Sequence, residues 1–296
     1  MQTASPRQGY VLGLSAYTLW GLFPMYLKLL AAVPAAEIIV NRVLWAAVFG
    51  SLLLLVWKHP GWWRNLRQHP KYFALLAGSG TLIAVNWLIY VYAVNSGRML
   101  DASLGYFINP LVNVLLGMLF LRERLRPLQW IAVGLAAVGV AQQVLKVGSL
   151  PWISLSLALT FGFYGLVRKK APVAALPGLV VETWMLVPVA VAWLALHPDA
   201  HAVQPGFWSS TEALWLVLAG PATLIPLVCF NAAARKLPYA TLGFLQYIAP
   251  SLVLAQAVLL FGEHLEPATT VTFGFIWAGL VLFSFDAWRS LRRRGL

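Results

Sequence analysis

Apolar residues in this chain do not alternate with polar ones; they come in long unbroken runs. A helix crossing a bilayer needs about 20 mostly apolar residues. Ten runs of that order lie at 9–29, 36–57, 73–94, 102–121, 127–145, 150–168, 177–196, 212–234, 239–261 and 268–288. The gaps hold helix breakers and charge, at Val33-Pro34, His59-Pro60-Gly61, Ser96-Gly97-Arg98, Arg126-Pro127, Gly148, Ala171-Pro172, His197-Pro198-Asp199 and Leu237-Pro238. No gap exceeds about 16 residues, which leaves no room for a soluble domain. Unbroken runs exclude a transmembrane β-barrel, whose strands alternate. The first run exceeds the 7–15 residues of a typical signal-peptide core and reads as a helix. The fold class predicted is an all-α membrane protein of ten transmembrane helices.

Lys and Arg orient these helices. With both termini on one side, 17 of the 21 basic residues fall on that side; Lys28, Arg98 and Lys146 fall opposite, and Arg42 lies inside a helix. The positive-inside rule then predicts cytoplasmic termini for a multi-pass membrane protein. Charge content agrees. Only 10% of the 296 residues are charged and 60% are hydrophobic, against about 25% charged in soluble domains. The net charge of +12 sits in short clusters between apolar runs, a pattern of loops on an anionic bilayer surface and not of a nucleic-acid binder. With Cys229 as the single cysteine, neither an intrachain disulfide nor a cysteine-based metal site can form.

An internal repeat organises the runs. Asp101-Ala-Ser-Leu-Gly-Tyr-Phe-Ile-Asn-Pro110 precedes Glu123-Arg-Leu-Arg-Pro127, and Tyr239-Ala-Thr-Leu-Gly-Phe-Leu-Gln-Tyr-Ile-Ala-Pro250 precedes Glu263-His-Leu-Glu-Pro267. Proline to glutamate is 13 residues in both copies, whereas glycine to proline is 5 in the first and 7 in the second. The implied units are 1–147 and 148–296, five helices each. An odd number inverts the second copy in the membrane. The basic flank of Glu123 (Arg122, Arg124, Arg126) and the absence of Lys or Arg around Glu263 agree with opposite faces. Inverted repeats place a binding site near the midplane at their interface.

These features resemble the EamA-type branch of the drug/metabolite transporter superfamily. Tyr17-Thr-Leu-Trp-Gly-Leu-Phe-Pro24, Glu37 to Arg42, Asn86-Trp-Leu-Ile-Tyr90, Ser103 to Pro110, Gln129-Trp130, Tyr164-Gly-Leu-Val-Arg-Lys169, Glu182-Thr183 and Gly243 to Pro250 are similar to its RarD group across nearly the whole chain. The resemblance implies a bacterial cytoplasmic-membrane transporter, in a group associated with chloramphenicol sensitivity.

Polar stripes mark candidate substrate contacts. Residues spaced i, i+3/i+4 and i+7 share a helix face. Tyr106, Asn109, Pro110, Asn113 and Gly117 form such a stripe, as do Asn86 and Tyr90; Ser156, Thr160 and Tyr164; and Tyr17, Trp20, Pro24 and Lys28. Registering the repeats by proline sets Gln246 against Tyr106 and Ala249 against Asn109. Buried amides in lipid must face protein or water. Trp20, Asn86, Tyr90, Tyr106, Asn109, Tyr164 and Gln246 are therefore the substrate-binding candidates. Interhelical hydrogen bonding is the competing role, worth about 0.6 kcal/mol each.

Intramembrane charges are functional candidates by default. Glu37, Arg42 and Glu182 are the coupling or gating candidates, with Glu182 the deepest acid and protons the candidate coupling ion. The five-residue step from Glu37 to Arg42 aligns them poorly. Glu123 and Glu263, beside Pro127 and Pro267, are expected to cap the following helix and act as structural hinges. His197 and His201 have metal-like spacing, but Pro198 argues against a helix there. No cofactor or metal is expected, and no phosphate-cradling or nucleophile motif occurs. The reading is a secondary transporter for a small organic molecule, acting as a monomer or homodimer in the lipid bilayer. The alternatives are a membrane-embedded enzyme acting on a lipid or prenyl substrate and, third, a passive channel.

Overall fold

The computed structural model describes residues 6–293 except 58, 148–150, 263, 265 and 266. Glu263, one of the two expected hinge carboxylates, thus lies outside the described residues. Helices occupy all ten apolar runs: α1 (Pro6–Lys28), α2 (Ala35–Val56), α4 (Pro70–Asn95), α5 (Met99–Leu121), α6 (Pro127–Val147), α7 (Trp152–Lys170), α8 (Ala175–Leu196), α9 (Thr211–Lys236), the pair α10 (Tyr239–Leu245) and α11 (Ile248–Phe261), and α12 (Pro267–Arg293). Eight of these segments, with α10 and α11 counted together, are long and apolar enough to cross a membrane. The exceptions are α1 and α7; α7 is 19 residues long and ends in Arg168, Lys169 and Lys170. Side chains such as Leu55, Val56, Leu88, Leu119, Val189 and Leu259 project outward fully or largely exposed, as a lipid-facing surface requires.

Two elements depart from the predicted pattern. A short helix, α3 (Trp62–Gln68), forms in the gap after the second run; its Leu66 is buried with Leu76, Val173 and Val181. The ninth run is not one helix. It breaks at Gln246 and Tyr247, where i→i−3 bonds from Gln246 N to Gly243 O (3.1 Å) and from Tyr247 N to Phe244 O (3.2 Å) tighten the backbone. Pro250 explains the break. It has no N–H for the Gln246 carbonyl, and its ring crowds that carbonyl. Pro110 sits within the continuous α5, so the proline alone does not break a helix; the break falls in the copy that carries two extra residues.

Helix packing relates the two halves. α1 packs on α9 and α11, α2 on α8 and α9, α4 on α7 and α8, α5 on α7 and α10, and α6 on α12. Exchanging α1, α2, α4, α5 and α6 in order with α7, α8, α9, the α10–α11 pair and α12 turns α5–α7 into α11–α1, α1–α9 into α7–α4 and α2–α9 into α8–α4. It leaves α2–α8, α5–α10 and α6–α12 unchanged. The exchange extends to individual atoms. A Cβ on Gly139 of α6 would lie 2.9 Å from the Thr272 carbonyl of α12, and one on Gly279 of α12 would lie 2.8 Å from the Ala132 carbonyl of α6. Both offsets, 279 − 139 and 272 − 132, equal 140, the same as 263 − 123 in the repeated loop. Small residues let the two backbones approach this closely.

The bundle has two distinct ends. Lys236 Nζ donates to Gln8 Oε1 (3.2 Å), and the Arg126 guanidinium pairs with Asp286 (3.0 Å), at the end that holds the start of α1 and the close of α12. Tyr26 donates to the Trp215 carbonyl (2.6 Å), and Arg98 pairs with Asp101 (2.7 Å), at the opposite end.

Candidate functional site

Arg42 occupies an unusual position. It lies seven residues into α2, about 10 Å from the end opposite the termini at 1.5 Å per residue. Its Nε donates to Thr223 Oγ1 of α9 (2.7 Å), and its guanidinium stands 5.0 Å from the ring of Phe23 (α1) and 5.1 Å from that of Trp87 (α4). The phenols of Tyr26, Tyr90 and Tyr106 lie within its electrostatic reach. Tyr106 is 49% exposed although Ala102, Leu104, Gly105, Phe107, Ile108, Asn109 and Pro110 around it on α5 are buried. α2 and α5 are not a packed pair; Arg42 is half-buried, and its side chain is approached from α1, α4 and α9. The structure thus brings Arg42, Tyr90 and Tyr106 together, and adds Phe23, Trp87 and Thr223, which sequence reasoning did not single out. Asn86, on the same helix as Trp87 and Tyr90, is turned to α7. Its Nδ2 donates to Thr160 Oγ1 and the Leu157 carbonyl of α7, both at 2.9 Å.

Seven residues beyond Thr223 on α9, about 10 Å toward the terminal end, aromatic rings pack into a layer. Trp20 packs against Tyr17, Phe161 and Phe230 with ring centroids 5.6–5.7 Å apart, and Tyr164 stacks on Phe230. Behind this layer lies a buried charge pair. Arg168 Nε stands 3.4 Å from Glu182 Oε1, and their side chains are 0% and 1% exposed. Ser79 Oγ donates to Glu182 Oε1, Tyr164 Oη donates to Glu182 Oε2 (3.5 Å), and Asn231 Nδ2 donates to Tyr164 Oη (2.8 Å). A Cβ on Gly178 would overlap the guanidinium. Tyr164 therefore belongs to this network and not to the surroundings of Arg42. Arg168, one of the 17 basic residues that the sequence assigns to the side of the termini, is buried within the bundle. It continues the Ser156, Thr160 and Tyr164 stripe at the next i+4 position, and that stripe was the available signal.

The α5–α10 crossing buries further candidates. Gln246 Oε1 accepts from Asn113 Nδ2 (2.9 Å), so proline register misplaced it: Gln246 meets Asn113 and not Tyr106. The backbone break shifts its position along the helix, because the two extra residues fall just before Pro250. Asn109 is buried and its Oδ1 has no partner among the described residues. Glu123 also departs from expectation. Its carboxylate accepts from Tyr239 N (2.6 Å) and Ala240 N (2.9 Å), capping α10 in the other half of the chain and not α6 behind Pro127. A surface cleft of about 450 Å³ opens beside it, lined by Arg124, Arg126, Gln129, Lys236 and Thr241 among others. Pro267 opens α12 as Pro127 opens α6.

Glu37 is likewise committed elsewhere. It accepts from His201 N (3.1 Å), the His201 ring (3.0 Å) and Ala202 N (2.6 Å), fastening the loop before α9 to the start of α2. His197 stacks on Trp193 instead of joining His201. Glu37, Arg42 and Glu182 therefore have separate environments, and Arg42 is the one of the three without a charged partner among the described residues.

Comparison with known proteins agrees with this architecture. The EamA-like transporter family model matches residues 7–143. An uncharacterized transporter of Pseudomonas aeruginosa is 69% identical over 293 residues, covering 99% of this chain and 98% of the relative. Protein RarD of Escherichia coli is 46% identical over 293 residues, covering 99% of each. Among solved structures, a protein crystal structure aligns at TM-score 0.70 and 19% identity over 95% of this chain and 98% of that one, a likeness of fold alone.

Proposed function

Because this chain belongs to the EamA-like transporter family, and within it to the RarD group, we propose that it carries a small organic solute across the bacterial inner membrane by alternating access. A membrane transporter follows from the family; the mechanism is our reading. The observation that carries it is the asymmetry of the central space. Arg42 keeps both Nη groups without a protein acceptor among the described residues, while the aromatic layer, the Arg168–Glu182 pair and the α5–α10 crossing separate it from the cleft at the terminal end. An alternating-access carrier caught facing one side has this form.

In this reading 1–147 and 148–296 are inverted five-helix repeats, α1 and α7 also span the membrane, and both termini are cytoplasmic, so the pocket faces outward. The reciprocal helix pairs and the 140-residue offset support the repeat, and the distribution of Lys and Arg supports the orientation. Trp20 forms the floor beneath the solute, and Asn86, Tyr90 and Tyr106 line its path. Asn109, Tyr164 and Gln246 become accessible when the inner end opens. Glu182 serves as gating group through its pair with Arg168, Glu37 holds the outer loop, and Glu123 with Pro127, and Glu263 with Pro267, act as hinges. Protons are the proposed coupling ion.

Transport without covalent chemistry is favoured over a lipid-modifying enzyme because the acids are dispersed among separate partners. The test is counterflow in proteoliposomes loaded with metabolite and drug pools, with and without a pH gradient. Saturable exchange of a solute is expected. Conductance without saturable exchange, or chemical conversion of a lipid, would overturn the reading. For coupling, Glu182→Gln should abolish pH-driven accumulation yet preserve exchange; unchanged accumulation removes Glu182 from that role.

A further inference from the structure

Arg42 carries a full charge that no protein group neutralises among the described residues. Its single hydrogen-bond partner, Thr223, is a neutral hydroxyl whose own proton goes to the Ala219 carbonyl (2.7 Å). Every nearby acid is committed. Glu37 is held by His201 and Ala202, Asp101 by Arg98, and Glu182 by Arg168. Neither Nη of Arg42 has an acceptor among the described residues, and neither appears among the sealed, unpaired buried atoms, so neither is fully enclosed by protein.

An arginine within the membrane is costly and ordinarily finds a counter-charge. Phe23 and Trp87 hold the guanidinium by cation–π contact, which positions the charge without cancelling it. The two free Nη groups form a planar fork that matches two oxygens of a carboxylate, phosphate or sulfonate. The surroundings are aromatic: Phe23 and Trp87 pack on the guanidinium, and the phenols of Tyr26, Tyr90 and Tyr106 lie within its electrostatic reach. A cation would be repelled by this pocket, and a neutral solute would leave the charge unmatched.

We propose that the solute carried by this transporter is an organic anion, its acidic group held by the Arg42 fork and its planar or apolar body lying against Trp87, Tyr90 and Tyr106. The proposal rests on the transporter reading and names the substrate class. The shared chemistry is the oxyanion; carboxylate and phosphate are distinguished by the test.

The test measures binding first and transport second. The purified full-length protein in detergent is titrated with 4-hydroxybenzoate, indole-3-acetate and phenyl phosphate, with their neutral partners 4-hydroxybenzamide and indole-3-acetamide, and with the cation tryptamine. Tryptophan fluorescence and thermal shift are followed. The acids are expected to bind at least tenfold more tightly than the amides, with tryptamine weakest. Arg42→Gln should lose that preference, and Arg42→Lys should keep a reduced one. Should Arg42→Gln fail to fold, Arg42→Lys and Tyr106→Phe in folded protein still report, through a weakened acid-to-amide ratio. Equal or tighter binding of the neutral or cationic partners, an acid preference unchanged in all three variants, or no binding of any acid would overturn the proposal. Acid binding that depends on Arg42 with no counterflow of any bound solute would instead defeat the transport reading and leave the anion site standing.

Discussion

The Arg168–Glu182 pair offers the sharpest energetic test of the closed end. Its charges are 3.4 Å apart and essentially without solvent exposure. At an effective dielectric of about 20 the Coulomb attraction at that distance is about 5 kcal/mol, and burial of both ions offsets much of it. Glu182→Gln preserves shape and removes the counter-charge. Arg168 then retains its hydrogen bond to the Ala175 carbonyl (3.0 Å) but becomes an unpaired buried cation, at a cost of about 3–5 kcal/mol. Arg168→Met strands the carboxylate and should cost a similar amount, softened by Ser79 and Tyr164. The double variant Arg168→Met/Glu182→Gln buries no charge. It should recover most of the loss, ending within about 1–2 kcal/mol of the parent, with a coupling energy of at least 2 kcal/mol. Unfolding by sodium dodecyl sulfate in mixed micelles, followed by tryptophan fluorescence, measures all four proteins. Single losses below about 1 kcal/mol, or a double variant equal to the sum of the singles, would refute the claim that these two charges stabilise each other.

Other expectations are independent of that pair. In a background lacking Cys229, Arg124→Cys should react with an impermeant maleimide only from the cytoplasm and His264→Cys only from outside; labelling of both from one side would sink the inverted repeat. Glu123→Ala removes the carboxylate that caps Tyr239 and Ala240 and should lower stability by about 1–2 kcal/mol in a thermal melt, whereas a purely local cap on α6 would leave the α10 amides equally protected from hydrogen exchange. Gly139→Val and Gly279→Val should each cost about 1–3 kcal/mol by overpacking the same α6–α12 interface, with values close to each other; loss at only one site would break the equivalence of the halves. Glu37→Ala should release the loop at 197–210 and raise its cleavage by added protease from the outer face.

The apolar runs alone determined that the chain is a membrane bundle, and where its helices lie. Bilayer thickness and the need to satisfy backbone groups leave few alternatives for such runs. The repeat was legible because Pro110 and Glu123 recur with identical spacing at Pro250 and Glu263. Arg42 stood out because an arginine inside an apolar run has no ordinary explanation. Its environment was not legible: Phe23, Trp87 and Thr223 come from three other helices, and helix rotation decides which faces meet. Arg168 looked like a loop charge because one-dimensional hydropathy cannot tell the last buried turn of a helix from the first exposed residues. The partners of Glu37, Glu123 and Gln246 lie 164, 116 and 133 positions away, and only packing of the two halves sets them. Sequence marks which residues are costly to bury; the tertiary structure decides which of those costs are met by a partner, and it leaves Arg42 without a counter-charge among the described residues.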